Sequence, residues 1–296
     1  MQFGASTWLW TSPFTGSDDR LLRKIADLGF DFVEIPVEDP AAIDGSAIAS
    51  QLREYGLQAV VCAAVGGDRD LSSADPAKVE AATDYLQACI AFASQWESPL
   101  LVGPLYAPVG KARLDTESER QAEWQRSGEN LGRVAQVAAR AGIRLGIEPL
   151  NRFETDMVNT TADALRLVAD IGHDNVGVSL DNFHMNIEEV NFRQAVEAAG
   201  DRLFHVQVSD SHRGVPGDGG SDWIGLREGL RQIGYDGRVS IESFTPESSG
   251  LAAAVCIWRR FAKNQDVFAE RGLEFLQHWR EGTFPDPDPV SENKIL

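Results

Sequence analysis

Short runs of apolar and β-branched residues alternate along the whole chain with longer stretches in which apolar residues recur every three or four positions. The short runs predict strands near 2–8, 31–37, 57–65, 99–105, 143–148, 175–181, 203–209 and 238–242. The longer stretches predict helices near 18–29, 41–55, 76–95, 116–141, 160–171, 189–199, 222–233 and 250–279. Such uninterrupted strand–helix repetition favours a closed (β/α)8 TIM barrel over an open doubly wound sheet.

The open sheet would require a glycine-rich phosphate loop after the first strand, and the sequence there is Thr-Trp-Leu-Trp-Thr-Ser-Pro. Residues 1–280 are therefore interpreted as one α/β barrel domain that carries any catalytic site. Residues 281–296 contain prolines alternating with acids and are interpreted as a short, extended C-terminal tail outside the barrel.

The net charge of −18 argues against nucleic acid or an anionic membrane as a partner, because both require a basic surface. It does not exclude a small anionic ligand, which needs only a local cluster of cations. Cys62, Cys89 and Cys256 are far apart and odd in number, which indicates free thiols in a reducing compartment. The chain shows neither a signal-peptide pattern nor a long apolar span, so we expect a cytoplasmic protein.

Four polar residues stand at the ends of successive predicted strands. Each of them follows or closes an apolar run, and they are 33, 26 and 35 residues apart, about one strand–helix unit each; they are Glu148, Asp181, Gln207 and Glu242. A single acid at such a place is often only the cap of a neighbouring helix. Four in succession at the carboxyl ends of barrel strands, where barrel active sites lie, predict a functional site.

The oxygen donors in this set suit a divalent metal ion. Buried carboxylates are costly unless a positive charge compensates them. Three carboxylates and one amide are hard ligands, which favour Mn²⁺, with Mg²⁺ or Co²⁺ as alternatives, over Zn²⁺. The sequence therefore predicts a metal site formed by Glu148, Asp181, Gln207 and Glu242.

Three segments resemble the motifs of the ketose 3-epimerases (the D-tagatose and D-allulose, or psicose, group). The segment Gly-Ile-Glu-Pro-Leu-Asn-Arg-Phe-Glu at 146–154 resembles their Glu-x-x-Asn-Arg-Phe-Glu motif. The segment Leu-Asp-Asn-Phe-His-Met-Asn-Ile-Glu-Glu at 180–189 is similar to their Leu-Asp-x-Phe-His-Met-Asn-Ile-Glu-Glu, and Asp-Ser-His-Arg with Pro-Gly-x-Gly at 210–219 follows the same pattern. The resemblance spans the barrel and places the chain in the wider xylose-isomerase-like superfamily.

The resemblance implies a mechanism and site residues. A divalent metal would chelate the oxygens on carbons 2 and 3 of an open-chain ketose, and two carboxylates on opposite faces would exchange the proton on carbon 3 through an enediolate. Glu148 and Glu242 match those two catalytic positions, each also touching the metal. The positions that bind the oxygens of the sugar are matched by Glu154, His184 and Arg213.

One position departs from the family pattern, because Gln207 stands where the family usually has His. This leaves the substrate open and should reduce affinity for softer metals. His205 fits either a partner of the metal ligands or, more simply, a buried and satisfied side chain. Glu34 fits either a barrel-facing position or a salt bridge at the surface, and Trp8, Trp10 and Phe14 fit either an apolar wall over the substrate or core packing.

Alternative functions share this site. A lyase could expel the aglycone of a 3-oxo-glycoside, and an aldose–ketose isomerase resembling hydroxypyruvate isomerase is supported by the Gln207 exchange. A non-catalytic sugar-binding barrel is disfavoured by the intact Glu148, Asp181 and Glu242. The preferred hypothesis is a metal-dependent ketose 3-epimerase that acts on a small sugar and forms, like its relatives, a homodimer or homotetramer.

Overall fold

The structure is a computed structural model that describes residues 1–17, 19–111 and 115–283. Parallel strands form one closed barrel in the order β1 to β8, with β1 paired to both β2 and β8. The strands are β1 Gln2–Ser6, β2 Phe32–Pro36, β3 Gln58–Cys62, β4 Leu100–Gly103, β5 Arg144–Ile147, β6 Val176–Asp181, β7 Leu203–Val208 and β8 Arg238–Ile241. The predicted (β/α)8 TIM barrel is confirmed.

Helices surround the barrel and return the chain from each strand to the next. The α-helices are α1 Arg20–Asp27, α2 Gly45–Tyr55, α3 Pro76–Gln95, α4 Glu117–Arg140, α5 Thr161–Ile171, α6 Asn182–Glu188, α7 Phe192–Ala199, α8 Trp223–Gln232, α9 Ser249–Ala254 and α10 Gln265–Glu281. Short 3-10 turns cover Thr7–Leu9, Pro40–Ala42 and Gly200–Arg202. Within the described ranges, none of the helices combines the length and apolar character needed to cross a membrane.

Two helix predictions were wrong. The predicted helix 250–279 is divided into α9 and α10, because Cys256 adopts a left-handed backbone (φ 57°) and Asn264 starts a new helix by accepting a hydrogen bond from the Val267 N–H at 2.9 Å. The short helix α6 was not predicted. It begins directly after β6, where the Asp181 carboxylate accepts a hydrogen bond from the Phe183 N–H at 2.8 Å.

The hydrophobic core has two parts. The larger part lies between the strands and the surrounding helices. The smaller part fills the barrel interior and consists of Phe32, Val60, Cys62, Leu100, Val102 and Phe204. The predicted domain boundary at residue 280 stays a prediction. Of the predicted tail 281–296, only the first three residues are described, and α10 extends to Glu281; positions 284–296 lie outside the described residues.

Candidate active site

The four residues predicted as a metal site lie at one end of the barrel. Glu148 follows β5 and Glu242 follows β8, whereas Asp181 closes β6 and Gln207 lies near the end of β7. Asp181 and Gln207 are direct partners in the ladder between β6 and β7. Because all strands are parallel, their carboxyl ends bring these side chains to the same mouth of the barrel.

The backbone fixes both glutamates. The Glu148 N–H donates to the Gly103 carbonyl at 3.1 Å, and the Glu242 N–H donates to the Val208 carbonyl at 3.0 Å. Gly103 has φ 130°, and a Cβ atom there would lie 2.1 Å from the Ala63 carbonyl oxygen. Only glycine fits this close approach between β4 and the end of β3. Steric exclusion of a side chain therefore requires glycine at position 103, whose carbonyl accepts the Glu148 hydrogen bond.

Arg213 lies at the centre of the acids. Its Nη1 donates to Asp181 Oδ2 at 2.5 Å and lies 3.1 Å from Glu242 Oε2. Its guanidinium lies over the rings of Phe183 and Phe244, at 4.2 and 5.3 Å from their centroids. Although burial alone would lower the pKa of Arg213, the carboxylates of Asp181 and Glu242 raise it, so the side chain is charged.

Asp210 holds the loop that carries Arg213. Its Oδ1 accepts hydrogen bonds from the N–H groups of Ser211 at 2.7 Å and Ser221 at 3.2 Å. Its Oδ2 accepts from the Gly217 N–H at 2.8 Å and from Trp223 Nε1 at 3.1 Å. Burial would raise the pKa of Asp210, but these donors outweigh burial and lower it, so the loop is held by a charged acceptor.

His184 lies close to both Glu148 and Arg213. Its Nδ1 accepts a hydrogen bond from the Asn151 backbone N–H at 3.1 Å, which places the proton of the neutral ring on Nε2. Nε2 lies 3.6 Å from Glu148 Oε1 and 3.8 Å from Asp181 Oδ2. Burial lowers the pKa of His184 despite the opposing effect of Asp181, so a neutral donor faces the acids. In this tautomer the 3.2 Å approach of Arg213 Nη2 to Nε2 is a contact between donors.

Asn151 was not predicted as a site residue, although it lies inside the first motif. Its Nδ2 donates to Glu154 Oε1 at 2.8 Å and also lies 2.8 Å from His184 Nδ1. The side chain thereby ties two of the predicted sugar contacts together. Its position between Glu148 and Glu154 was the available signal, but a single Asn in a loop is more often a turn residue.

Gln207 contacts the site differently from a simple metal ligand. Its Nε2 donates to Glu242 Oε1 and to Glu34 Oε1, both at 3.0 Å. Its Oε1 lies 3.5 Å from Ser179 Oγ. Glu34 is completely buried, so the barrel-facing alternative for this residue is the observed one, and its partners include His205.

Of the aromatic residues after β1, only Trp8 lies beside the acids. Its ring centroid is 5.6 Å from that of Phe244, which contacts Arg213, and its Nε1 donates to Glu38 Oε1 at 3.0 Å. Trp10 donates instead to Asp266 Oδ1 at 2.8 Å, and Phe14 belongs to the core. Of the three residues of the predicted apolar wall, only Trp8 lies here, and it packs against Phe244, which was not predicted. We call Trp8 and Phe244 the aromatic rim.

The electrostatics of the cluster suit a divalent cation. Burial, then the charge of Asp181, raises the pKa of Glu148 well above its usual value. Burial also raises the pKa of Glu242, although Arg213 opposes it. Ligand atoms of Glu148, Asp181 and His184 lie within 4.8 Å of one another, as do those of Glu34, Cys62 and Glu242. The carboxylates of the cluster outnumber its one arginine, and their oxygens are hard donors. This combination fits a bound dication.

Known proteins resemble this fold and site. The sequence profile of the xylose isomerase-like TIM barrel family matches residues 22–277. The chain belongs to that family. The L-ribulose 3-epimerase of Mesorhizobium japonicum is 32% identical over 278 residues, which cover 93% of each chain. The D-allulose 3-epimerase of Methylomonas sp., solved with D-allulose, superposes with a TM-score of 0.89 at 31% identity and covers 94% of this chain and 96% of its own.

A further relative matches a shorter stretch at higher identity. The 3-dehydro-D-guloside 4-epimerase of Escherichia coli is 43% identical over 114 residues, or 38% of this chain and 44% of its own. These relatives confirm the resemblance to the ketose 3-epimerases. They also confirm the prediction that the chain is an isomerase of the sugar epimerase type.

Proposed function

We propose that the chain is a divalent-metal-dependent ketose 3-epimerase. Glu148 and Glu242 serve as the paired acid and base, and Glu148, Asp181, Gln207 and Glu242 hold the metal. The observation that carries the proposal is the arrangement of the two glutamates. They follow β5 and β8, and both have raised pKa values. A carboxylate oxygen of Glu148 lies within 4.8 Å of one from Asp181, and Glu242 lies 3.1 Å from Arg213, the ion-pair partner of Asp181.

Epimerisation needs two groups because the proton must leave one face of the carbon and return to the other. One glutamate takes the proton from carbon 3, and the electrons of the C–H bond pass into the adjacent carbonyl to give an enediolate. The other glutamate gives a proton to the opposite face, which inverts the centre. A raised pKa suits both roles, since burial makes each carboxyl a stronger proton acceptor than a free one.

When bound, the divalent cation would act as a Lewis acid that makes the proton next to the carbonyl easier to remove. We expect Mn²⁺ as the resident ion, with Mg²⁺ or Co²⁺ as alternatives, because the donors are oxygens. Gln207 joins the set through its Oε1. Its Nε2 is already occupied by two carboxylates and offers no lone pair.

The predicted sugar contacts supply both donors and an acceptor. Arg213 and the Nε2–H of neutral His184 donate toward the acid cluster, where hydroxyl and carbonyl oxygens of the sugar would lie. Glu154, held by Asn151, offers an acceptor for a hydroxyl group. Because buried acids dominate the cluster and Arg213 is already paired, an uncharged sugar fits better than a sugar phosphate.

A second candidate is an epimerase or lyase that acts on a 3-oxo-glycoside. It is favoured by the 43% identity over 114 residues to a 3-dehydro-D-guloside 4-epimerase. The aromatic rim of Trp8 and Phe244 offers an apolar surface against which an aglycone could pack. The cytoplasmic location and the homodimer or homotetramer stay predictions from the sequence.

Proton exchange followed by NMR separates these functions. The Mn²⁺-loaded protein is incubated in heavy water with D-fructose, D-allulose, D-tagatose, L-ribulose and a 3-oxo-glucoside. We expect deuterium at carbon 3 of a free ketose together with its epimer. Exchange or aglycone release on the 3-oxo-glucoside alone would replace the first function by the second. No exchange on any of these compounds would contradict both.

A further inference from the structure

A buried polar layer around Glu34 includes one of the proposed metal ligands, Gln207. Glu34 Oε2 accepts a hydrogen bond from Ser240 Oγ at 2.7 Å and lies 2.8 Å from His205 Nε2. Glu34 Oε1 accepts from Gln207 Nε2 at 3.0 Å. These four side chains, from β2, β7 and β8, are completely buried. A carboxylate at such depth is costly, and both its oxygens are satisfied by these neighbours.

The hydrogen bonds of Gln207 to Glu34 and Glu242 determine the orientation of its side-chain amide. The two hydrogens of Nε2 are donated to two carboxylates, one from Glu34 and one from Glu242. An amide oxygen turned to that side would face two carboxylate oxygens and repel both. Oε1 therefore points away from them, toward Ser179 on β6, the strand that also carries Asp181. Ser179 Oγ, at 3.5 Å, is a weak partner that leaves the oxygen available to a cation.

We propose that Glu34 is a positioning residue that holds Gln207 with its oxygen toward the metal. The proposal rests on the metal site of the proposed function. Glu34 touches neither the metal nor the substrate in this account. It fixes the amide, and the amide in turn steadies the Glu242 carboxylate through the shared hydrogen bond. Ser240 and His205 hold Glu34 in place from the other side.

The pairing also explains why an amide works at position 207. A glutamine offers two hydrogens from one nitrogen, which are needed to satisfy Glu34 and Glu242 together, and it still offers an oxygen as ligand. In Glu34→Gln, the new NH₂ group can face Gln207 and donate to its oxygen, so the amide is no longer held in one orientation and can turn over. A turned amide would present N–H hydrogens to the cation, and these cannot act as a ligand.

The test is the affinity for Mn²⁺, measured from the electron paramagnetic resonance signal of the free ion. Wild type, Glu34→Gln, Gln207→Ala and the double variant are titrated, with Glu38→Gln as the control from the same strand end. Glu34→Gln should weaken Mn²⁺ binding by about 10- to 100-fold, the range typical of partners that orient a ligand. Glu38→Gln, whose carboxylate binds Trp8 and Ser12, should leave the affinity unchanged.

The double variant separates positioning from other roles. If Glu34 acts through the amide, its replacement should change the affinity by no more than about threefold once Gln207→Ala is present. A loss that is equally large in both backgrounds would mean that Glu34 acts through its charge, and would overturn the proposal. Unchanged affinity in Glu34→Gln would overturn it too. If Glu34→Gln does not fold, Glu34→Asp takes its place, because its side chain is one methylene shorter and moves the carboxylate away from Gln207. Its Mn²⁺ affinity is then measured with and without Gln207→Ala.

The two proposals fail differently. If wild type does not bind Mn²⁺, Mg²⁺ or Co²⁺ at this end of the barrel, the metal-dependent function falls, and the role of Glu34 falls with it. If wild type binds the ion and epimerises a ketose while Glu34→Gln binds as well as wild type, only the role of Glu34 is lost. Thermal unfolding of each metal-free variant shows whether a change in affinity follows from a change in folding.

Discussion

Arg213 and Asp181 form a buried ion pair, with 2.5 Å between Nη1 and Oδ2, although Arg213 has a left-handed backbone with φ 62°. A non-glycine residue in that region is strained and persists only where its surroundings hold it. Here the surroundings are the Asp210 hydrogen bonds and the carboxylates of the site. The backbone thus aims the guanidinium at the acids.

Replacing Arg213 by Lys should keep the charge and remove the planar fork that reaches Asp181 and Glu242 together. We expect kcat/KM for the best ketose to fall about 100-fold, the effect typical of losing one fixed donor at developing charge. The measurement is steady-state epimerisation of that ketose. Arg260→Lys, which alters an exposed pair with Glu247, is the matched control and should keep wild-type kinetics. Equal kinetics in both variants would remove Arg213 from substrate binding.

Asp210→Asn should weaken the loop that carries Arg213. The new NH₂ group would face either the Ser211 and Ser221 N–H groups or those of Gly217 and Trp223, so two donors would lose their acceptor. We expect the free energy of unfolding in urea to fall by about 1–3 kcal/mol and KM to rise. Glu247→Gln, which removes one charge of an exposed pair with Arg260, should change stability by less than about 0.5 kcal/mol. A stable Asp210→Asn variant with unchanged KM would show that Asp210 does not position Arg213.

In the metal-free protein, Glu148 and Glu242 should contribute less to stability as the pH rises. Glu148 and Glu242 have raised pKa values in the folded chain. The folded chain therefore keeps protons that the unfolded chain releases, because an unfolded Glu carboxyl has a pKa of about 4.3. The free energy of unfolding therefore falls as the pH rises from about 4.3 toward the raised values, by up to about 1.4 kcal/mol per pH unit for each extra proton.

Urea unfolding of chelator-treated protein between about pH 5 and pH 7 measures this slope. Added Mn²⁺ should flatten it, because the ion replaces the protons as the compensating charge. Glu148→Gln should also reduce the slope, since the amide does not titrate. Burial lowers the pKa of His184, which adds a slope of the opposite sign below about pH 6.5, so the comparison between wild type and Glu148→Gln isolates the glutamate contribution. A Glu148→Gln slope equal to that of wild type would contradict the raised pKa of Glu148.

The sequence predicted the barrel because buried parallel strands leave a clear apolar pattern that does not depend on distant contacts. It missed α6, because seven residues are too few for helical periodicity and the cap of this helix, Asp181, is also a predicted metal ligand. It joined α9 to α10 because the left-handed Cys256 that separates them is an ordinary residue with no turn signature.

The site was predictable to a similar extent. Strand-end acids such as Glu148 and Glu242 can be recognised from their position alone. The bond between Glu34 and His205 joins residues 171 positions apart, and it depends on the barrel register and on side-chain rotamers. The direction of the Gln207 amide follows from those same contacts, so the sequence could name the residue without saying which atom faces the metal.

The most direct test of the two-glutamate mechanism is deuterium exchange at carbon 3 by Glu148→Gln and Glu242→Gln, each given both epimers of the preferred ketose in heavy water. Retained Mn²⁺ binding is checked first, because both residues are proposed ligands. Neither variant should interconvert the epimers, and each should exchange the proton of a different epimer, the one that faces its remaining glutamate. Interconversion by either variant, or exchange of the same epimer by both, would contradict the assignment.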